Sequence, residues 1–260
     1  MPPLRQPAPD GTTTRTDVAI ELRPLEQFTI ERIVPIHIGG LDISYTNAAL
    51  MMTIVVVAVT VLMVLATRKA ALVPGRWQSV AEMSYEFVAD MIDTNIGHGG
   101  RQFFPFVFTL FMFILFANLL GMIPYSYTTT SQIIVTFALA AVVFILVTTI
   151  GIIRHGFHFL SLFVPHGVPK ALLLLLVPIE LLSYCIRPFT LSIRLFANML
   201  AGHTMLAIFG GFAASLGILG IFPTGINFLL VGLELLVAVL QAYVFAILTC
   251  LYLQEAIHLH

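Results

Sequence analysis

From residue 171 to residue 253 the chain is almost continuously apolar, relieved only by the segment GILGIFPTG around Pro223. At 1.5 Å per residue, two helical arms of this run would each be roughly 45 to 75 Å long, beyond a bilayer core of about 30 Å. Such arms have to tilt strongly or bend, and a long, tilted helical hairpin inside a membrane is the economical solution. Few chains leave so little choice of solvent.

The rest of the 260 residues agree: 59% are hydrophobic and 10% charged, and the mean hydropathy is +1.00. These values describe a polytopic membrane protein. A formal net charge of -1, without any basic run, argues against nucleic acid as a partner. Cys185 and Cys250 sit far apart in apolar runs with no His or Cys at ligand spacing, so they read as small buried residues. Nothing in the sequence asks for a metal or a cofactor. The N-terminus MPPLRQPAPDGTTTRTD lacks the apolar core of a signal peptide, and its acids and prolines do not suit an organellar presequence, so it is kept as part of the mature chain.

The expected architecture is all-α, with about five membrane-embedded helices and one amphipathic helix at the interface. A polar segment, 1–47, precedes a membrane domain, 48–260. It ends in HIGGLDISYTN, where Gly39-Gly40 marks a turn and Thr46 or Asn47 can cap the helix that follows. Spans are expected at about 48–67, 103–124, 133–153, 171–222 and 226–253. Between the first two, Trp77, Val80, Ala81, Ser84, Phe87, Val88, Met91 and Ile92 recur at helical spacing, while Glu82, Glu86, Asp90 and Asp93 take other faces. That pattern predicts an amphipathic helix over 77–96, lying at the interface or against a partner. Arg68, Lys69, Arg76, Arg101, Arg154 and Lys170 fall on one side, whereas the turns 125–132 and 217–225 carry no Lys or Arg. The first side is therefore expected to face the cytoplasm or matrix, with the C-terminus inside and the N-terminal tail outside. No internal or inverted repeat is visible, which speaks against a secondary transporter.

Function has to be sought in the ionisable groups of the hairpin: Glu180, Arg187, Arg194 and His203 on the first arm and Glu234 on the second. Each costs about 2.5 kcal/mol or more as a central charge in lipid, so each should face protein or water. Arg187, beside Pro188, is as compatible with snorkelling as with function. Arg194 lies more than twenty residues from both Lys170 and Pro223, too deep to reach either end. In an antiparallel hairpin, one register sets Arg194 beside Gln241 and His203 beside Glu234. Glu180 then lies near the inside surface, on the same side of the helix as Arg194, while His203 is half a turn away. A buried Glu adjusted by a His can exchange protons near working pH. Arginine cannot usefully release its proton, so it serves as a barrier and as an anchor for a passing carboxylate. A bracing ion pair remains the plain alternative for His203 and Glu234.

The motifs SIRLFANMLAGH, PIELLSYCIRPFTL, LELLVAVLQAYVFAILTCLYL and FANLLGMIPYSYTTTSQ resemble those of subunit a of the F-type ATP synthases, from about Ala48 to the C-terminus. The resemblance implies the proton-conducting stator side of a rotary motor, non-catalytic by itself, forming two offset half-channels against a c-subunit ring. It implies b-type stator subunits, the rest of the complex and membrane lipid as further partners. Arg194 then looks like the essential stator arginine and Gln241 its helix neighbour. His203 and Glu234 look like the outer half-channel pair, Glu180 the inner carboxylate, and Asn118 a polar wall of the outer channel. Many bacterial members carry Glu at the position of His203 and His at that of Glu234; the order here is mitochondrial-like. The implied location is a bacterial inner membrane, or alternatively the mitochondrial inner membrane. Two rivals are an autonomous channel or transporter, which would conduct alone, and a scaffold subunit, whose hairpin charges could all be neutralised without loss.

Overall fold

The computed structural model describes residues 29–257 apart from 31, 36, 39–40, 43, 69–70, 72, 124–125, 157–158, 160–163 and 165–169. The expected Gly39-Gly40 turn, three arginines of the tail (Arg5, Arg15 and Arg23), Lys69 and most of the loop after His155 lie outside the described residues. Among the described residues the α-helices are α1 (Asn47–Thr67), α2 (Arg76–Asn95), α3 (Phe104–Gly121), α4 (Ile133–His155), α5 (Lys170–Ser215) and α6 (Ile221–Ile257). Five helical segments are long and apolar enough to cross a membrane: Asn47–Thr67, Gly99–Gly121, Ile133–His155, Leu172–Ser215 and Gly217–Ile257. The chain is an all-α polytopic membrane protein.

Ahead of α1 lie four short strands that the sequence reading did not anticipate. β1 (Arg32–Val34) pairs antiparallel with β4 (Tyr45–Thr46), and β2 (His37–Ile38) with β3 (Leu41–Asp42), Ile38 opposite Leu41. Strands of two or three residues are too short to show a period of two in the sequence. Thr46 then caps α1, its hydroxyl accepting from the Ala49 N–H at 3.3 Å. Along α1 the hydroxyls of Thr53, Thr60 and Thr67 donate back to carbonyls one turn earlier. This is how a hydroxyl is satisfied where no water competes.

Helix α2 turns Ala81, Val88, Met91 and Ile92 inward and packs on α1, α3 and α6 of its own bundle. Phe87 sits at its edge, against Phe111 and Tyr243 at 5.5 and 5.7 Å between ring centroids. Trp77, on the apolar face expected to lie at the interface or against a partner, is 71% exposed. The centre of the bundle is α3, with Val107, Leu110, Met112, Ile114, Ala117 and Asn118 all buried. Pro105 occupies its first turn, where a missing N–H costs nothing.

The hairpin of α5 and α6 follows from the long apolar run. At 1.5 Å per residue, the 46 residues of α5 span about 69 Å and the 37 of α6 about 55 Å. Both exceed the hydrocarbon thickness, and Pro178 and Pro188 lie within α5. The break between the arms falls at Leu216 and the 3-10 turn Gly217–Gly220, within the expected interruption GILGIFPTG but ahead of the span boundary expected between 222 and 226. Gly217 has φ +58, and a Cβ at Gly220 would stand 2.2 Å from the Ala213 carbonyl oxygen, so the bend needs glycine at both places. Pro223 is instead buried in the first turn of α6, a position that tolerates it.

Candidate functional site

Polar groups come together where the C-terminal end of α3 and the turn after it meet the hairpin of α5 and α6. Asn118, fully buried on α3, donates through Nδ2 to the Ala238 carbonyl of α6 at 3.2 Å. Next to it, the 3-10 turn Thr129–Ser131 folds into the bundle, so that Thr128, Thr129, Thr130 and Ser131 are all buried. His203 reaches this turn from α5: Nε2 lies 3.0 Å from the Gly121 carbonyl and 2.9 Å from Thr128 Oγ1. Thr128 also donates to the Gly121 oxygen at 3.0 Å. Its single hydrogen is thereby used, and it accepts from Nε2–H. The other nitrogen, Nδ1, lies 3.2 Å from the Met199 carbonyl and 2.5 Å from Glu234 Oε1. A carbonyl only accepts, so Gly121 calls for a hydrogen on Nε2 and Met199 for one on Nδ1, the nitrogen that also faces the Glu234 carboxylate; the doubly protonated ring satisfies both.

Glu234 itself is 5% exposed on α6. Although Oε1 comes close to Nδ1, it stands off the line of the N–H bond, and Oε2 has no hydrogen-bond partner among the described residues. Gly202 explains how the carboxylate fits: a Cβ there would be 2.7 Å from Oε1 and 3.0 Å from the carboxyl carbon. Asn118 Oδ1, Thr130 Oγ1, Asn227 Oδ1 and Gln241 Nε2 are likewise buried without a partner among the described residues. Unpaired buried polar atoms are rare enough that a cluster of them needs a reason.

The opposite flank of α5 is different. At 100° per residue, Glu180, Arg187, Arg194 and Asn198 fall within about 40° of one another, and His203 is half a turn from Arg194. Arg194 is exposed and Glu180 half-exposed; neither has a hydrogen bond or ion pair among the described residues. Arg187 is tied to α6 by an ion pair with Glu255, its guanidinium 5.3 Å from the Tyr184 ring centroid and 5.0 Å from that of Tyr252. Tyr184 in turn bonds Thr148 of α4 at 2.7 Å.

Gln241, expected beside Arg194, takes its hydrogen bond from the next turn of α5. Gln241, buried on α6, accepts from Asn198 Nδ2 at 2.8 Å, one turn beyond Arg194. The constant register assumed for the hairpin holds only for parallel rods. Here eleven residues of α5 from Arg187 to Asn198 match fourteen of α6 from Glu255 back to Gln241, and five from Asn198 to His203 match seven from Gln241 back to Glu234. Partners drift along the two helices.

Residues 49–254 match the family described as ATP synthase A chain. The chain belongs to the ATP synthase A chain family. It is 52% identical over 244 residues to a protein of Paramagnetospirillum magneticum named ATP synthase subunit a, covering 91% of this chain and 99% of that one. Proteins of the same name from Allorhizobium ampelinum and Parvibaculum lavamentivorans are 58% and 54% identical over 242 residues, each covering 90% of this chain and 97% and 93% of theirs.

For this member of the ATP synthase A chain family, the structure brings Asn118, His203 and Glu234 to one buried cluster, sets Arg194 and Glu180 along an exposed flank, and puts Gln241 between the two. Sequence reasoning missed Thr128, Gly202, Asn198 and Glu255. Gly202 carried a signal, a glycine beside an intramembrane histidine. Asn198 did too, lying one turn from Arg194. Thr128 carried none, because a threonine in a polar turn reads as solvated.

Proposed function

We propose that this chain is the proton-conducting stator subunit of an F-type ATP synthase, working in a bacterial energy-coupling membrane against a ring of c subunits and held by b-type stator subunits. The observation that carries the reading is Arg194: a permanently charged side chain, more than twenty residues from either end of α5, exposed on the flank of the bundle and unpaired among the described residues. An arginine cannot escape the cost of lipid by deprotonating. It therefore calls for an anion from another molecule, and a membrane-embedded carboxylate on a rotating ring supplies one at each step.

On this reading protons enter from the outside through the buried cluster. A proton reaching His203 passes between Nδ1 and the Glu234 carboxyl, while Nε2 stays fixed by Gly121 and Thr128. Glu234 gives it to an ionised ring carboxylate, and is itself left ionised until the next proton arrives. The unpaired oxygens of Asn118, Thr130 and Asn227 and the Gln241 amide support a hydrated route through this region. The neutral ring acid tolerates lipid and rotates away; an ionised one does not. After nearly a full turn it loses its proton near Glu180, and the anion is drawn back to Arg194, which bars a direct leak between the two paths. The drive is about 2.3 kcal/mol per proton per 100 mV.

The test is ATP-driven acidification of membrane vesicles carrying Arg194→Ala, with assembly of the whole complex and ATPase activity of its detached catalytic sector checked in parallel. Loss of pumping with assembly intact is expected. Pumping at wild-type rates would make the arginine structural and end this mechanism.

A further inference from the structure

Glu180, Arg187 and Arg194 are spaced seven residues apart on α5, so a second permanent cation stands on the same flank, between the inner carboxylate and the stator arginine. Seven residues of helix put it about 10 Å from Arg194. Of these two cations, only Arg187 has a counter-charge among the described residues. Glu255, four turns beyond Gln241 on α6, pairs with Arg187, and the rings of Tyr184 and Tyr252 flank the guanidinium. The Arg187 side chain is 22% exposed and that of Glu255 44%, so neither group is sealed away from the flank on which Glu180 and Arg194 lie.

Two cations on one proton path would work against each other. A bare charge at Arg187 would offer the ring anion a second seat, and would repel protons moving between the inside and the ring in either direction. At about 10 Å in a medium of intermediate dielectric, one added charge changes such occupancies by about tenfold. We propose that Glu255 masks the Arg187 cation, so that Arg194 is the single unmatched positive charge along this flank among the described residues. Arg187 and Glu255 are thus positioning residues, setting the field in which Glu180 and Arg194 act. This inference rests on the proton path proposed above.

A mask and a mechanical clamp between α5 and α6 predict different double-variant behaviour. Initial rates of ATP-driven acidification are compared for Glu255→Gln, Arg187→Gln and the double variant, in vesicles whose complexes are shown to be assembled. Masking expects Glu255→Gln to pump about tenfold more slowly, because it exposes the cation. The double variant, which has no cation to expose, is expected to pump several-fold faster than Glu255→Gln. A double variant no faster than Glu255→Gln would mean a clamp, and a Glu255→Gln variant at wild-type rates would mean that nothing needs masking; either result overturns the proposal. If Glu255→Gln does not assemble, the double variant is set against the wild type, where a rate within about threefold supports masking and a loss of tenfold or more refutes it. Arg194→Ala runs beside these variants. If that control still pumps, the proton path itself is wrong, a failure distinct from that of the mask.

Discussion

The two flanks of α5 solve one physical problem in opposite ways. On one side His203 and Glu234, with side chains 13% and 4% exposed, are enclosed by groups of their own chain: the Gly121 and Met199 carbonyls, Thr128 and the space left by Gly202. On the other, Arg194 is exposed and has no partner among the described residues. Ionisable groups are expensive in lipid, so they are either enclosed by the chain that carries them or left for a second molecule to meet. The buried cluster is completed by this chain; on the proposed reading, the arginine is completed by a second molecule.

That division predicts which substitutions disturb the chain and which disturb only its work. Arg194→Ala should lower pumping by on the order of a hundredfold or more, because a charge-assisted contact made at every step disappears. Yet the melting temperature of the isolated chain in detergent should move by no more than about 2 °C, as for any exposed side chain without partners. Glu234→Ala should cost both. It strips His203 of its neighbour and opens space beside Gly202, a loss of about 1 to 3 kcal/mol that appears as a melting temperature several degrees lower. Equal melting shifts for the two variants would erase the distinction between the flanks.

Much of this was legible in the sequence, for reasons that also explain what was not. Helices announce themselves by length and period, and a charge in a long apolar run is conspicuous, so Glu180, Arg194, His203 and Glu234 stood out without a structure. What the sequence left open was which side chains meet between elements. Gln241 was set beside Arg194 by counting residues along straight rods; the hydrogen bond it makes is with Asn198, one turn on, which the count did not single out. Thr128 was hidden because the turn after α3 folds inward, and no local pattern distinguishes a buried polar turn from a solvated one. Glu255 lay beyond the last expected span at 226–253, where a carboxylate reads as surface. α6 continues to Ile257 and holds it against Arg187.

Within the outer cluster, smaller changes grade the enclosure. Gly202→Val would press two methyl groups onto a carboxylate that a single Cβ already meets at 2.7 Å, displacing Glu234 from Nδ1. A pumping loss of about tenfold is expected, equivalent to about 1.4 kcal/mol of misplacement, with Gly202→Ala affected less. An unaffected Gly202→Val would mean that the carboxylate has room to move and that the close fit is incidental. Thr128→Val keeps the shape and removes the hydroxyl. Since Gly121 still accepts from Nε2, His203 loses one neutral hydrogen bond, worth about 1 kcal/mol, while the Gly121 carbonyl loses its second donor, the Thr128 hydroxyl, and pumping should fall no more than about fivefold. Thr128→Ser should restore it; failure of the serine to do so would shift the role from the hydroxyl to the methyl group.

The mildest test asks whether enclosure extends to the mouth of this site. Tyr127, next to Thr128 in the turn between α3 and α4, is half-buried, and burial pushes its phenol above the usual range while a hydrogen bond with Gln132 pulls it part of the way back. A phenol held neutral longer in the folded chain than in the unfolded one contributes stability that is complete below the ordinary tyrosine value of 10.0 and is lost as pH rises through the folded value. The difference between alkaline absorbance titrations of the wild type and Tyr127→Phe isolates this one phenol among seven tyrosines. Its ionisation should come later than that of a free phenol, and the stability advantage of the wild type should fade over the same alkaline window. An ordinary titration would show the mouth to be open to bulk water, so that enclosure by the chain begins only at Thr128.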